Sequence, residues 1–238
     1  MLSFLRTIKN LFLDGLFPRI CVSCRNHLDN ARYSTICDRC FQTIPVHSTF
    51  FCSVCKARLP DNTKICHREA QFLLGAVSDY SSKELRDLIH SFKYSFSTEA
   101  LHPLITLTEI YVRHLDFDFT DFIVIPIPLH KTRERSRGFN QSAILGKSLA
   151  RILNIPFFQD GLQRVANTDP QVRMRDRAAR EENVSEAFTV RASLDRFQNK
   201  NIILVDDVFT SGATLREAVR VLKSCGAKKV VAFVIAKA

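Results

Sequence analysis

The sequence predicts an α/β chain with a parallel sheet, preceded by a small cysteine-rich module. Three observations carry this. From about Phe72 onward, apolar runs of strand length alternate with segments whose apolar residues recur at helical spacing. Residues 201–215 read as a buried strand, two acids, a hydroxyl-rich loop and the start of a helix. Nearer the start, Cys21-x2-Cys24 and Cys37-x2-Cys40 stand twelve residues apart.

The 238 residues are 46% hydrophobic, enough for a sizeable core without covalent staples. Lys and Arg number 34 against 24 Asp and Glu, a net charge of +10 that favours an anionic partner such as nucleic acid, a nucleotide or a membrane surface. The excess is uneven: residues 1–70 carry +5, 71–130 carry −4, 131–180 carry +7 and 181–238 carry +2.

Residues 1–18 form an amphipathic helical lead-in with Leu2, Leu5, Ile8, Phe12 and Leu16 on one face. That face either packs on the body of the protein or touches a membrane peripherally. With no signal-peptide pattern and no run of about 18 apolar residues, the expected location is cytoplasmic, with the inner face of the membrane open to the lead-in.

Residues 19–70 form the expected metal module. Two thiolate pairs, Cys21 with Cys24 and Cys37 with Cys40, have the spacing that grips one tetrahedral Zn²⁺. A closed four-thiolate site makes the metal structural; a redox dithiol is the competing reading. Cys52-x2-Cys55 and Cys66 form a second, incomplete set, because Glu69 stands where the closing cysteine would be. His67 or His47 as fourth ligand, or packed thiols without metal, are the readings left open. Phe50 and Phe51 beside this set are either stacking platforms for bases or core.

Residues 71–238 form the α/β domain. Strands are expected at 73–80, 122–128, 161–165, 201–205 and 229–235, and helices at 82–92, 101–115 and 139–153, with a last helix following the hydroxyl-rich loop. Ligands of such sheets lie beyond the carboxyl ends of the strands. The strand from Asn201 ends at Asp206 and Asp207; Thr210, Ser211, Gly212, Ala213 and Thr214 then lead into the helix. Free amides, the helix dipole and three hydroxyls make this a natural anion site, against the plainer reading of a solvated strand end and an ordinary cap. Two basic stretches accompany it. One holds Lys131, Arg133, Arg135 and Arg137 before Gln141; the other, a loop passing into a helix at 167–180, holds Gln171, Arg173, Arg175 and Arg177. Arginine forks suit phosphate oxygens.

The 201–215 run resembles the phosphoribosyl-diphosphate (PRPP) motif of type I phosphoribosyltransferases. The resemblance implies that Asp206 and Asp207 hold the ribose hydroxyls and that 210–214 wrap the 5′-phosphate. The full order is similar to the ComF family of bacteria: a Cys-x2-Cys module, Pro-x-Pro-Leu-His, Arg-Gly-Phe-Asn-Gln at 137–141, Gln171 with Arg177 and Asn183, then the Asp-Asp loop. Lys93-Tyr94 also fits that pattern, whereas Glu69 departs from it. The resemblance implies a PRPP-binding, phosphoribosyltransferase-like protein that handles incoming single-stranded DNA during natural transformation. It further implies that the first basic stretch binds pyrophosphate or DNA, that the second closes over the site, and that Mg²⁺ accompanies PRPP. Two alternatives stand beside it: an active phosphoribosyltransferase on an acceptor the residues do not identify, and a PRPP-sensing adaptor for a helicase-like partner.

Overall fold

The structure is a computed structural model that describes residues 19–28, 31–62, 66–94, 98–165, 187–190 and 197–238. The expected lead-in helix at 1–18 lies outside the described residues. So does the second basic stretch, with Gln171, Arg173, Arg175, Arg177 and Asn183.

The cysteine-rich region contributes a short helix α1 (Asp38–Gln42) and a hairpin of β1 (Phe50–Cys52) and β2 (Arg58–Leu59). Next come β3 (Leu73–Asp79), α2 (Lys83–Tyr94), α3 (Leu101–His114) and β4 (Phe122–Pro126). The basic stretch is α4 (Lys131–Arg137), followed by α5 (Gln141–Leu153), β5 (Leu162–Arg164), β6 (Phe188–Val190), β7 (Asn201–Phe209), α6 (Ala213–Ser224) and β8 (Lys229–Lys237).

Six strands make the main sheet in the order β2-β1-β3-β8-β7-β4. The four from β3 to β4 are parallel, as the alternation of strands and helices predicts. The hairpin is antiparallel and pairs with β3 through Phe50–Gly75, Phe51–Leu74 and Cys52–Leu73. The cysteine-rich region is therefore not merely tethered: its own strands extend the sheet. Phe50 and Phe51 are buried there, so the stacking-platform reading gives way to core. Each contributes about 1.5–3 kcal/mol by leaving water.

The central strands alternate between two apolar layers. Ile203, Val205, Val231, Phe233 and Ile235 face the layer made with α2, α3 and α5; Ile202, Leu204, Val230, Ala232 and Val234 face the layer made with α6. Burial on both faces is what a continuous β-branched run encodes.

Two corrections concern the expected elements beside the site. The strand from Asn201 does not stop at the acids but runs to Phe209, because β8 keeps pairing with it through Asp206–Val234, Val208–Ala236 and Phe209–Lys237. Pairing with β4 ends at Pro126–Val205, so the acidic pair sits where one edge of β7 has come free. The basic stretch at 131–137, to which the sequence pattern assigns no element, is helical. The His130 ring accepts a hydrogen bond from the Thr132 amide, and Gly138, at φ 78°, caps the other end. Among its residues none is buried, so no apolar stripe announced it.

Candidate functional site

The site is assembled at the carboxyl end of β7, where the topology of a parallel sheet places ligands. Asp206 and Asp207 point their carboxyls into different company. Asp206 Oδ1 accepts from Ser142 Oγ at 3.0 Å, at the start of α5, and from the Asp207 amide at 2.9 Å. Asp207 Oδ2 is paired with Lys93 Nζ at 2.7 Å. Burial, and then the Asp207 charge alongside, push the Asp206 carboxyl up to about 7. Burial works against the Lys93 ammonium, but Asp207 beside it holds it above its ordinary value. The result is one carboxylate ion-paired to Lys93 next to one whose burial favours its protonated form.

Beyond the acids the chain turns through Thr210, Ser211 and Gly212 into α6, and Ser211 Oγ accepts from the Ala213 amide at 3.4 Å. Gly212 has φ 78°, and a Cβ placed there would lie 2.6 Å from the Phe209 ring and 2.8 Å from the Arg216 guanidinium. Glycine thus fits both the turn and the packing. Gly212→Ala is expected to cost about 1–3 kcal/mol of stability through strain at this turn; an unchanged denaturation midpoint would contradict the geometry.

Helix α4 sorts the first basic stretch. Arg133 and Arg137, four apart, share a half-buried face; Lys131 and Arg135 are exposed. Arg137 donates to Gln141 Oε1 at 3.3 Å and lies over the Tyr94 ring, 5.7 Å from its centroid. Lys131 and Glu134 line a cavity of about 440 Å³ with Asn140, Lys147 and Arg164. Arg164, on β5, is buried; that burial and the nearby Arg133 bring its guanidinium down to about 10, while Asp206 pulls the other way. A buried arginine that feels the charge of both a cation and an acid suits a shared anion. Lys93 had only a family pattern to mark it, and Ser142 and Arg164 had no sequence signal: they reach the acids through tertiary folding alone.

The cysteines gather into two clusters. The ligand atoms of Cys21, Cys24, Cys37 and Cys40 lie within 4.8 Å of one another, as do those of Cys52, Cys55, Cys66 and His67. Cys24 and Cys37 sulfurs are 3.7 Å apart, and Cys55 and Cys66 sulfurs 3.6 Å. A tetrahedron with Zn–S bonds of about 2.3 Å has edges of about 3.8 Å, whereas a disulfide is about 2.05 Å. The donor set fits zinc. In the second cluster His67 takes the fourth place, its Nδ1 3.1 Å from Cys66 Sγ. His47, the other candidate, is instead buried against Asp79, with Nε2 3.4 Å from Oδ2, and against the Phe51 ring.

Both clusters use the same knuckle. The residue after the second cysteine, Arg25 or Lys56, has positive φ, and its amide donates to the carbonyl of the first cysteine, at 3.0 Å from Arg25 and 2.9 Å from Lys56. Lys56 then reaches across the molecule: Nζ donates to the carbonyl of Thr210 at 3.3 Å and to a main-chain oxygen of Ala238 at 2.5 Å. A residue adjoining a cluster ligand thereby steadies the hydroxyl-rich loop.

Comparison with known proteins finds two family models in the chain. Residues 140–238 match the family model of the phosphoribosyl transferase domain, and residues 12–72 that of the double zinc ribbon domain. Competence protein F of Haemophilus influenzae is 29% identical over 227 residues, covering 92% of this chain and 96% of that one. Competence protein ComFC of Bacillus subtilis is 27% identical, covering 92% and 84%. DNA utilization protein YhgH of Escherichia coli is 29% identical, covering 90% and 94%. Over nine-tenths of its length the chain is similar to competence proteins F and ComFC, with a match to the double zinc ribbon domain followed by one to the phosphoribosyl transferase domain.

Proposed function

We propose that this protein binds PRPP at the carboxyl end of β7 and handles single-stranded DNA taken up during natural transformation. The observation that supports the first half is the meeting of Asp206, Asp207 and the 210–214 loop with Lys93 and Arg164. In this reading Asp206 and Asp207 receive the ribose hydroxyls, and the amides at the start of α6 receive the 5′-phosphate. Arg133, Arg137 and Arg164 supply charge for a diphosphate, with Lys131 and Gln141 at its edge. The carboxylates and ligand oxygens suit a hard cation such as Mg²⁺, which when bound neutralises diphosphate charge. Asp207, already held by Lys93, would meet it less directly than the diphosphate does.

The second half is supported by the names of the relatives and by the charge of +10. A labelled single-stranded oligonucleotide followed by fluorescence anisotropy across a salt series tests it. Binding that weakens linearly in log-log form as salt rises is expected; no binding at low salt would overturn it. A second reading, transfer of the ribosyl group to an acceptor, is favoured by the intact acidic pair and loop. A helicase-like partner, and contact with the inner face of the membrane, rest on the family resemblance and on the lead-in at 1–18.

Lys56→Ala is expected to leave zinc content unchanged and to weaken PRPP about fivefold, the scale of one exposed charged hydrogen bond. Equal affinity in calorimetry would show that the loop holds its shape without Lys56.

A further inference from the structure

The amino ends of the parallel strands, opposite the acidic pair, carry a second cavity of about 540 Å³. Its rim holds Arg68, Arg220, Lys223, Lys228 and Lys229, and its wall includes Phe72, Phe117 and Phe122. Asn201 pairs with Lys229 and Asp206 with Val234, so this rim is five residues from the acids, about 17 Å along the strands. It is a separate place on the same sheet.

The charge of this rim is invisible in the composition. Residues 181–238 are only +2, but the fold divides them: Asp206 and Asp207 go to one edge of the sheet, and Arg220, Lys223, Lys228 and Lys229 to the other. Arg220 is engaged by Glu217 at 2.8 Å. Lys223 Nζ donates to the Lys228 carbonyl at 2.7 Å, fixing the end of α6 against the start of β8. Among the described residues Arg68, Lys228 and Lys229 have no acidic partner. Phe117 stands at the wall, its ring 4.8 Å from Phe119 and 5.7 Å from Phe122, half-buried while Phe72 and Phe122 are buried behind it. Unpaired cations around an aromatic wall match an anion that carries a flat apolar body. Phosphate alone would use the rim and leave the wall; an apolar peptide would use the wall and leave the charge uncompensated.

We propose that this cavity binds nucleoside phosphate units of a single strand, with a base against Phe117 and backbone phosphates on Lys228 and Lys229. The assignment rests on the single-strand half of the proposed function and gives it a location away from the PRPP pocket. Bases stack on aromatic faces with little sequence preference, and phosphates supply the salt-dependent part of the affinity.

The test uses the full chain and a labelled oligothymidylate in anisotropy titrations over a salt series. Lys228→Glu with Lys229→Glu is expected to weaken binding about tenfold or more and to lower the salt slope by about two. Arg113→Glu with Arg151→Glu, equal in charge but elsewhere on the surface, is expected to stay within about twofold of wild type. Phe117→Leu, with its melting temperature checked, is expected to weaken binding about fivefold. PRPP titrations of the three variants should match wild type. If wild type binds the strand but both charge-reversed variants bind it equally, the cavity is overturned and the single-strand reading survives. If wild type does not bind the strand at all, both fall. An unchanged isotherm for Phe117→Leu overturns the base contact. Thymidine monophosphate displacing the strand at equal nucleotide concentration overturns a strand site in favour of a free nucleotide.

Discussion

Asp206→Asn is expected to weaken PRPP binding about 100-fold while making the protein more stable at pH 8. Burial and the neighbouring Asp207 raise the Asp206 carboxyl to about 7, against an ordinary value near 3.9. Between these values the folded state holds a proton that the unfolded state has released. Stability contributed by this group therefore falls as pH rises through that window, and at pH 8 the charge is carried at a cost. Asparagine keeps the oxygen that accepts from Ser142 and from the Asp207 amide but removes the charge. Relief of about 1 kcal/mol raises the melting temperature by about 2–4 °C in a chain of this size. Affinity for PRPP with Mg²⁺ should fall about 100-fold, the scale of losing one or two charged acceptors. In the wild type that affinity should rise from pH 6 to pH 8 as Asp206 ionises, and the variant should lack this rise. Thermal melts and calorimetry at both pH values measure it. A variant that melts lower at pH 8, or binds as wild type does, contradicts the assignment.

Loss of zinc is the second large effect expected. In each cluster four sulfur or nitrogen donors lie within 4.8 Å of one another, a set that a tetrahedral cation would hold together. Burial and neighbouring thiols raise Cys40 well above the usual range, and the Cys52 thiol beside Cys66 helps push it up to about 12. Cys21 shows the other side of the same network: burial opposes its ionisation, but amide donors from Cys24, Cys37 and Ser23 outweigh it and bring it to about 6. A cation resolves this tension by taking all four as ligands, so its binding energy becomes folding energy. The full chain should carry two zinc ions, one for each cluster, and Cys21→Ser or Cys52→Ser should each remove one. Because β1 pairs with β3, a strong chelator should unfold the hairpin and loosen the sheet edge rather than release a detached module. Plasma emission for zinc and a chelator-dependent melt check this. One zinc per chain, or a melt indifferent to chelation, contradicts it.

The ligand loop was legible because its chemistry is contiguous: an apolar strand, two acids, hydroxyls and a glycine occupy fifteen successive residues. The first metal cluster was legible for the same reason. Less legible was anything closed by folding. His47 and His67 were equivalent on paper until Asp79 and Phe51 claimed the former. Ser142 lies 64 residues from Asp206, and Lys56 lies 154 from Thr210. The reach of β7 past the acids depends on β8 continuing beside it, which no local pattern of β7 reveals. Helix α4 depends on its caps at His130 and Gly138, because all its side chains remain at least partly open to solvent.

Calorimetric titration of the full chain with PRPP, with and without Mg²⁺, tests the central claim most directly. Saturable binding that strengthens with Mg²⁺ and disappears in the Asp206→Asn, Asp207→Asn double variant is the predicted result. Absence of binding in the presence of Mg²⁺, or binding that survives loss of both carboxylates, would contradict it.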